Sequence, residues 1–264
     1  METPPQKATL SPDDRDFVTA LASGLEVIQA FDEGHPHMTL SEVAARTGMN
    51  RAKARRFLLT LHALGYVRKQ GRSFELAPKV LQLGYAFLSA NDYRGVIQQY
   101  LEEITAESGE SSSLGVLDGD EVTYVARSAA RHRLMAITLS VGTRLPAAYT
   151  SMGRVLLAQL PPAELDAYLA RVTLEPHTER SVTDPATLRA RIDEAREQGY
   201  AIVDQELDPG LRSLAVPAFD GGGKLIGAIN VSTNAARIDL EALTQRLLPL
   251  LQQTARRIRD AVQR

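Results

Sequence analysis

Residues 39–67 read TLSEVAARTGMNRAKARRFLLTLHALGYV, and they predict the fold of the N-terminal part of the chain. Thr39 and Glu42 have the Thr-x-x-Glu spacing of a capping box, which predicts the start of a short helix. Gly48 interrupts that helix and can adopt the left-handed conformation of a tight turn. Asn50 is a good N-cap for the next helix. Helix, short turn and helix together predict a helix-turn-helix.

The second helix of this pair is predicted to have an apolar inner face and a basic outer face. Helical spacing places these apolar side chains on the inner face: Ala54, Phe57, Leu58, Leu61 and Leu64. The outer face and its edges carry small and basic side chains: Arg51, Ala52, Lys53, Arg55, Arg56 and Ala63. Such a helix can enter the major groove of DNA, where arginine pairs with guanine and a small residue permits close approach.

Two flanking segments extend this motif to a winged helix-turn-helix. Residues 17–31 predict a first helix whose buried stripe consists of Phe17, Leu21, Leu25, Ile28 and Phe31. Residues 66–76 predict two short strands around a basic, glycine-containing turn. This hairpin forms a wing whose tip can touch the phosphate backbone.

Basic residues are concentrated in this module. Between Val43 and Phe74 there are eight of them and no Asp or Glu. Because the whole chain has a formal net charge of −2, this segment of +8 leaves −10 for the rest. Segregated positive charge is typical of nucleic-acid binding, although a solvated basic face or a protein-docking module is the alternative. The residues predicted to contact double-stranded DNA are Ser41, Asn50, Arg51, Ala52, Lys53, Arg55, Arg56, Lys69 and Arg72.

From about residue 92 onward, helical and strand patterns alternate. Helices are predicted at 96–108, 152–160, 162–171, 185–198 and from residue 239. Strands are predicted at 113–117, 122–126, 134–141, 200–203, 214–219 and 225–232, with a loop at 142–146. Hairpin turns are expected at residues 118–120 and 220–223. Helices packed against a mostly antiparallel sheet make an α+β fold.

Carboxylates in the C-terminal part form one candidate catalytic set. Asp204, Glu206 and Asp208 alternate just after a predicted strand and have the chemistry of a general acid and base. No nucleophile accompanies them, so a solvated or arginine-paired loop is the favoured interpretation. The backbone N–H groups at the predicted helix start, residues 150–153, are instead a natural seat for the carboxylate of a ligand.

The composition argues against several other classes of protein. The chain has no cysteine and its five histidines are scattered, so we expect no metal site and no cofactor. The first residues lack the apolar run of a secretory signal, and no segment reaches the ~20 apolar residues needed to span a bilayer. We therefore expect a cytoplasmic protein without a membrane partner.

Three segments resemble the IclR family of transcriptional regulators, and especially its members that control aromatic-acid catabolism through the β-ketoadipate pathway. They are residues 39–67, GTRLPAAYTSMGRVLLAQL at 142–160 and GYAIVDQELDPGLRSLAVPAFD at 199–220. The resemblance covers nearly the whole chain, from about residue 16 to residue 264.

The domain organisation that this resemblance implies has three parts. They are a winged helix-turn-helix DNA-binding domain at 12–77, a linker helix at 78–91 and a GAF-like effector-binding domain at 92–264. The family assembles as homodimers or tetramers, which agrees with the need of a single helix-turn-helix for a second half-site.

By the same resemblance, an effector pocket lies in the C-terminal domain. Its predicted lining residues are Ser151, Met152, Gly153, Asp204, Glu206, Ser213, Asn230 and Ser232. Many relatives carry Asp or Ser where this chain has Val203, which is less suited to a very small polar ligand. The resemblance therefore implies a larger carboxylate effector of the hydroxybenzoate, protocatechuate or β-ketoadipate type. Its binding would shift how the dimer fits an operator.

Two other functions stay open at this point. The chain can be an enzyme that acts on a small organic acid and uses its basic module as a DNA tether. It can also be an architectural DNA-binding protein that needs no ligand. Conversion of a candidate acid would favour the first, and indifference of DNA binding to every acid would favour the second.

Overall fold

The structure is a computed structural model that describes residues 11–32, 34–84, 94–130 and 139–262. The chain divides into two compact units, Met1–Asn91 and Asp92–Arg264. The N-terminal unit has one hydrophobic core, and the C-terminal unit has two.

The N-terminal unit combines helices with a small antiparallel sheet. Its elements are α1 (Thr19–Gln29), β1 (His37–Thr39), α2 (Leu40–Arg46), α3 (Arg51–Ala63), β2 (Val67–Gln70), β3 (Ser73–Leu76) and a 3-10 turn (Pro78–Val80). The sheet order is β1-β3-β2. This arrangement confirms the winged helix-turn-helix, and adds β1, which the sequence pattern does not predict. The predicted linker helix is described only as far as residue 84, where residues 81–84 are helical.

The capping box that starts α2 is confirmed. The Thr39 side chain accepts a hydrogen bond from the Glu42 N–H, and the Thr39 N–H donates to the Glu42 carboxylate at 2.6 Å. The Thr39 N–H and the Thr39 hydroxyl, which donates to the same carboxylate at 2.8 Å, hold the pKa of Glu42 below its ordinary value. The start of the helix-turn-helix is thus fixed by local hydrogen bonds.

The predicted buried side of α1 is wrong in part. Leu21 and Leu25 are 63% and 44% exposed, whereas Val27, Ala30 and Phe31 enter the core. Residues 17–31 contain apolar side chains on two sides of one helix. Helical spacing does not decide which of two such stripes faces the core, because the decision belongs to packing against α3.

The inner face of α3 agrees with its prediction except at the end of the helix. Ala54, Leu58 and Leu61 are buried, but Leu64 is 53% exposed. The helix ends at Ala63, and Leu64 is already the residue that caps it. The prediction that Leu64 belongs to the inner face is therefore wrong.

The C-terminal unit is an α+β fold. Its first half contains α4 (Arg94–Ser108), β4 (Ser111–Asp118), β5 (Glu121–Ser128), β6 (Arg144–Pro146), a 3-10 turn (Ala147–Tyr149), α5 (Ser151–Ala158), α6 (Pro162–Arg171) and α7 (Pro185–Gln198). Its second half contains β7 (Ala201–Asp204), β8 (Leu211–Phe219), β9 (Leu225–Asn234), α8 (Leu240–Ala242), a π-helical segment (Leu243–Leu247) and α9 (Leu248–Ala261).

One six-stranded antiparallel sheet organises this unit, in the order β6-β5-β4-β9-β8-β7. A core that includes α5, α6 and α7 covers one face of the sheet, and a core that includes α4 and α9 covers the other. The first of these is called the α5 face. Its apolar sheet residues are Val122, Tyr124, Ala201, Ala215 and Ala228.

Residues 142–146, predicted as a loop, contain a strand. β6 pairs with β5 so that Leu145 lies opposite Val122, and Leu145 is buried. Burial of this one side chain anchors a three-residue edge strand, and a proline such as Pro146 is compatible with a sheet edge. The prediction of a plain loop is therefore wrong.

Two other predictions for this unit have mixed outcomes. The strand predicted at 134–141 falls mostly on residues 131–138, which lie outside the described residues, and residues 139–141 are not in a strand. The terminal helix begins after Asp239 as predicted, with the Asp239 side chain accepting from the Ala242 N–H at 2.7 Å. The π-helical segment that follows is not predicted by the sequence pattern.

Candidate functional site

Helix α3 presents its basic residues to solvent. The Asn50 side-chain oxygen accepts a hydrogen bond from the Lys53 N–H at 2.8 Å, which fixes the start of the helix. The exposed residues of the outer face are Arg51, Ala52, Arg55 and Arg56, and Lys53 is half-buried. Asn50 uses its oxygen as the cap, so only its amide N–H groups are left to donate to a phosphate.

Arg46 does not belong to this basic surface. Its Nε donates to the Ala30 carbonyl at 2.9 Å, and its guanidinium forms an ion pair with Asp32. Among the described residues, no carboxylate lies within 4.0 Å of the seven other basic side chains in this stretch. They are Arg51, Lys53, Arg55, Arg56, Arg68, Lys69 and Arg72. Seven of the eight basic side chains between Val43 and Phe74 therefore have no ion-pair partner among the described residues, and Arg46 is the exception.

The remaining predicted DNA contacts lie on α2 and on the wing. Ser41 is exposed in the first turn of α2. Lys69 and Arg72 are exposed on the β2–β3 hairpin, where Gly71 turns the chain with a φ of 60°. A positive φ of this size favours glycine, so the basic wing tip depends on Gly71.

Strand pairing gathers polar residues at one end of the α5 face. One row across the sheet consists of Ser111, Ser232, Ser213 and Val203. The neighbouring row consists of Arg127, Ser113, Asn230, Ala215 and Ala201. Directly paired residues share a face, and so do residues two apart along a strand. Because Ala201 and Ala215 belong to the α5 face, the polar residues of both rows do too.

The N-terminal end of α5 lies at this polar end of the sheet. Arg154, the fourth residue of α5, pairs with Glu206, which follows β7. Leu160, just beyond the other end of the helix, instead lines a groove with Leu225 at the start of β9. Ser151 therefore begins its helix beside the polar rows.

Three buried polar atoms at this end have no hydrogen-bond partner among the described residues. They are Ser151 Oγ, Asn230 Oδ1 and the Tyr149 hydroxyl. The Asn230 amide itself donates to Ser232 Oγ at 3.1 Å. Buried polar atoms are normally paired, because an unpaired one loses its water without compensation. Unpaired polar groups that share one face are typical of a binding site for a polar ligand.

Glu206 is bound by Arg154 rather than left free for a ligand. Arg154 Nη1 donates to Glu206 Oε1 at 2.8 Å, Nη2 contacts Oε2, and Nε donates to the Ala148 carbonyl at 3.1 Å. Both side chains are nearly buried. The pair joins α5, the turn before it and the loop after β7.

Asp204 is also engaged by arginines. Its carboxylate accepts from Arg212 Nε and Arg180 Nη1, both at 2.7 Å. Partial burial opposes ionisation, but the hydrogen bond and charge of Arg212 hold the pKa of Asp204 below its ordinary value. With Glu206 also paired, the arginine-paired interpretation fits Asp204 and Glu206, whereas Asp208, the third carboxylate of the set, has no ion-pair partner among the described residues.

Only some of the backbone N–H groups at the start of α5 are free to bind a carboxylate. Thr150 Oγ1 accepts from the Gly153 N–H at 3.0 Å, which uses one of the free donors. A Cβ at Gly153 would lie 2.1 Å from the Ala147 carbonyl oxygen, so Gly153 serves close packing of the backbone. Met152 is fully buried against the sheet. The N–H groups of Ser151 and Met152 are the donors that the cap leaves.

Arg127 is a site residue that the sequence reasoning missed. The predicted strand stops at Ala126, but β5 continues to Ser128 and carries Arg127 into the polar row. Arg127 Nη1 donates to Ser113 Oγ at 3.0 Å. Burial lowers the pKa of Arg127, which the nearby Tyr124 opposes only in part. Strand alternation alone would place Arg127 on the same face as Val125. Leu114 pairs with Ala126 and Gly115 pairs with Tyr124, so Val125 is the extra residue of a bulge in β5, and Arg127 lies on the α5 face instead.

The described residues contain no cluster of His, Asp or Glu side chains that could hold a metal ion. Within that same part of the chain, no helix is long and apolar enough to cross a membrane.

A basic winged helix-turn-helix, followed by an α+β unit with a buried polar site, defines a DNA-binding transcriptional regulator that responds to a small molecule. The chain belongs to the IclR family of bacterial transcriptional regulators. Residues 20–71 match the IclR helix-turn-helix domain, and residues 85–260 match the family described as bacterial transcriptional regulator IclR C-terminal.

Two curated relatives are similar over most of their length. The Pca regulon regulatory protein of Pseudomonas putida is 47% identical over 238 residues, which cover 90% of this chain and 82% of the relative. The p-hydroxybenzoate hydroxylase transcriptional activator of Acinetobacter baylyi is 33% identical over 251 residues, which cover 94% and 93%.

Two solved structures have the same fold. A transcriptional regulator from Rhodococcus sp. RHA1 has a TM-score of 0.82 at 46% identity, covering 93% of this chain and 98% of that one. The second is a double mutant of the PobR inducer-binding domain from Acinetobacter, in complex with 3-hydroxybenzoic acid. It has a TM-score of 0.61 at 31% identity and covers 64% of this chain and 98% of that one.

Proposed function

We propose that this protein regulates genes of aromatic-acid catabolism and responds to a small carboxylate effector bound in its C-terminal unit. The observation that carries the effector part is the set of buried, unpartnered atoms of Ser151, Asn230 and Tyr149 on the α5 face. The relatives support the choice of effector, since one activates a p-hydroxybenzoate hydroxylase gene and one inducer-binding domain holds 3-hydroxybenzoic acid.

The proposed DNA interface is the outer face of α3 together with α2 and the wing. Arg51, Ala52, Arg55 and Arg56 would enter the major groove together with the half-buried Lys53, because these residues form the outer face at the start of α3. Ser41, Asn50, Lys69 and Arg72 would contact phosphates, which position the protein but do not read bases.

The proposed effector site comprises Ser151, Met152, Ser213, Asn230 and Ser232. Gly153 supports it through close backbone packing rather than by contact. Glu206 and Asp204 would support the site without contacting the effector, because their carboxylates form ion pairs with arginines. The dimer would exist in two arrangements that fit the operator differently. Effector binding would change the operator affinity only if these two arrangements bind the effector with different affinity.

We infer that two copies associate through the exposed stripe of α1. Val18, Leu21 and Leu25 lie on this stripe and are 62%, 63% and 44% exposed. Large apolar side chains grouped on one helix are unfavourable in water, and a second copy would cover them. A two-fold dimer would also supply the second recognition helix for a pseudo-palindromic operator.

We infer that the protein has no catalytic activity of its own and acts in the cytoplasm, where its DNA is. The carboxylates suited to acid–base catalysis, Asp204 and Glu206, are committed to ion pairs with arginine. Incubation with candidate aromatic acids should return them unchanged while raising the melting temperature of the protein. Turnover of an acid would favour the enzyme with a DNA tether instead.

The proposal is tested by binding of the protein to its own upstream DNA, followed by fluorescence anisotropy. We expect the affinity to fall steeply with salt, because lysine and arginine displace counterions from the phosphates. Hydroxybenzoates, protocatechuate or β-ketoadipate should change this affinity. Binding that ignores all of these acids would favour the architectural DNA-binding protein.

A further inference from the structure

Resting on the proposed function, we propose that the guanidinium of Arg127 binds the carboxylate of the effector. The effector is then an anion that is anchored at the sheet, with its charged end at β5 and not at the start of α5. Arg127 is then a specificity-determining residue, and the ligand carries a negative charge.

Arg127 lies in the same row of the sheet as Asn230, whose Oδ1 has no hydrogen-bond partner among the described residues. Arg127 is directly opposite Ser113, which lies directly opposite Asn230 on the next strand. Arg127 Nη1 reaches Ser113 Oγ at 3.0 Å, so the guanidinium extends from β5 over β4. Adjacent strands are about 4.8 Å apart, which brings this cation within about one strand spacing of Asn230.

Of the described arginines at this end of the sheet, Arg127 is the one without a carboxylate partner. Arg154 pairs with Glu206, and Arg180 and Arg212 pair with Asp204. Among the described residues, no carboxylate lies within 4.0 Å of Arg127. A half-buried guanidinium whose charge is unmatched favours an anionic partner, and a ligand carboxylate supplies one.

The Arg127 guanidinium has N–H donors left for a ligand. A guanidinium has five N–H donors, and the contact with Ser113 uses one of them. The remaining donors can hold a carboxylate through two parallel hydrogen bonds, which is the arrangement that arginine favours. The start of α5 is the weaker carboxylate-binding position, because the Gly153 N–H already donates its hydrogen bond to Thr150 Oγ1.

The remaining unpartnered atoms then suit the uncharged part of the same ligand. Ser151 Oγ and the Tyr149 hydroxyl are neutral groups that both donate and accept hydrogen bonds. A hydroxyl or carbonyl group is the complementary chemistry. The site therefore fits an organic acid that carries a second, neutral polar group away from its carboxylate.

The test compares each acid with its own amide, which for the dicarboxylate β-ketoadipate is the diamide and which has nearly the same shape but no charge. The probes are 4-hydroxybenzoate, protocatechuate and β-ketoadipate, each paired with its amide and titrated calorimetrically into the full-length protein. Wild type, Arg127→Met and Arg127→Lys are compared. Arg144→Met is the matched control, because Arg144 is exposed on β6 and paired with Asp118 and Glu121.

We expect wild type and Arg144→Met to prefer one acid over its amide by about 10- to 100-fold, the range for hydrogen bonds to charged groups. Arg127→Met should lose most of this preference while still binding the amide, and Arg127→Lys should keep part of it. A merely structural role for Arg127 would weaken acid and amide equally and leave their ratio unchanged.

The two proposals fail in different ways. An unchanged acid-to-amide ratio in Arg127→Met and Arg127→Lys overturns the role of Arg127 and leaves the proposed function standing. Equal affinity of the wild type for acid and amide also overturns the role of Arg127 and leaves the proposed function standing. Failure of wild type to bind any acid of the panel overturns the effector part of the proposed function, and this inference with it.

Discussion

Arg154 and Glu206 form a buried ion pair with two parallel contacts, and this pair joins helix α5 to the loop after β7. The loop is further held by Thr178 Oγ1, which donates to the Gln205 carbonyl at 2.7 Å, and by Ser181 Oγ, which donates to the Glu206 carbonyl at 2.6 Å. Gln205 itself has a φ of 60°, an uncommon conformation for a residue other than glycine. The edge of the proposed effector site is therefore held in place by polar contacts.

Replacing Glu206 should destabilise the C-terminal unit. In Glu206→Gln the Arg154 guanidinium stays buried without its counter-charge, and removing one partner of a buried pair costs about 3–5 kcal/mol. Urea unfolding should show a clear fall in the free energy of unfolding. Glu103→Gln is the matched control, since Glu103 pairs with Arg257 at the surface and should change stability very little. Similar behaviour of both variants would contradict a structural role for the buried pair.

The two parts of the proposed DNA interface should respond differently to mutation. Arg55→Ala or Arg56→Ala removes a side chain that faces the major groove, so discrimination between operator variants should fall by about 1–3 kcal/mol. Lys69→Ala or Arg72→Ala should weaken binding to all sequences alike and reduce the salt slope by about 1. Anisotropy titrations against operator and scrambled DNA separate these outcomes. A uniform loss in all four variants would mean that α3 does not read bases.

Self-association should depend on the exposed stripe of α1. Leu21→Glu places a charge on this stripe, so sedimentation should show monomers and the affinity for a two-half-site operator should drop. The melting temperature of a dilute sample should hardly change, because Leu21 contributes little to the core. Leu240→Glu is the control, since Leu240 is exposed to a similar degree in the C-terminal unit. Dimers that persist in Leu21→Glu would show that the copies meet elsewhere.

Gly153 should tolerate no side chain. In Gly153→Ala the new Cβ would meet the Ala147 backbone, and overpacking of this kind costs about 1–3 kcal/mol. Gly95→Ala is a matched change in an open part of α4, where alanine should stabilise the helix by up to about 1 kcal/mol. Thermal unfolding should therefore move in opposite directions for the two variants. A neutral Gly153→Ala would mean that the start of α5 is looser than its packing indicates.

Local signals in the sequence predicted much of the fold. The capping box at Thr39, the N-cap at Asn50 and the hairpin turn at 118–120 are formed as predicted. Each of these depends on hydrogen bonds or backbone conformations within a few residues. The bounds of α6 and α7 match their predictions for the same reason.

The rest depends on contacts between distant residues. The buried stripe of α1 is chosen by packing against α3, and β6 exists because Leu145 is buried opposite Val122. Arg127 joins Ser113 and Asn230 only through the register of three strands and the bulge at Val125. The partner of Glu206, Arg154, is 52 positions away in the chain. Periodicity and spacing do not carry such information.

In the proposed function, an acid bound in the C-terminal unit controls DNA binding by the N-terminal unit. The decisive quantity is the dissociation constant for the upstream region, measured by anisotropy with and without saturating acid, in wild type and Asn230→Ala. We predict a change of at least about fivefold in wild type, the lower end of typical allosteric coupling. Asn230→Ala should bind the DNA as well as wild type but lose that response. Identical constants with and without every acid of the panel, in a protein that binds the same DNA, would rule out control of DNA binding by these acids.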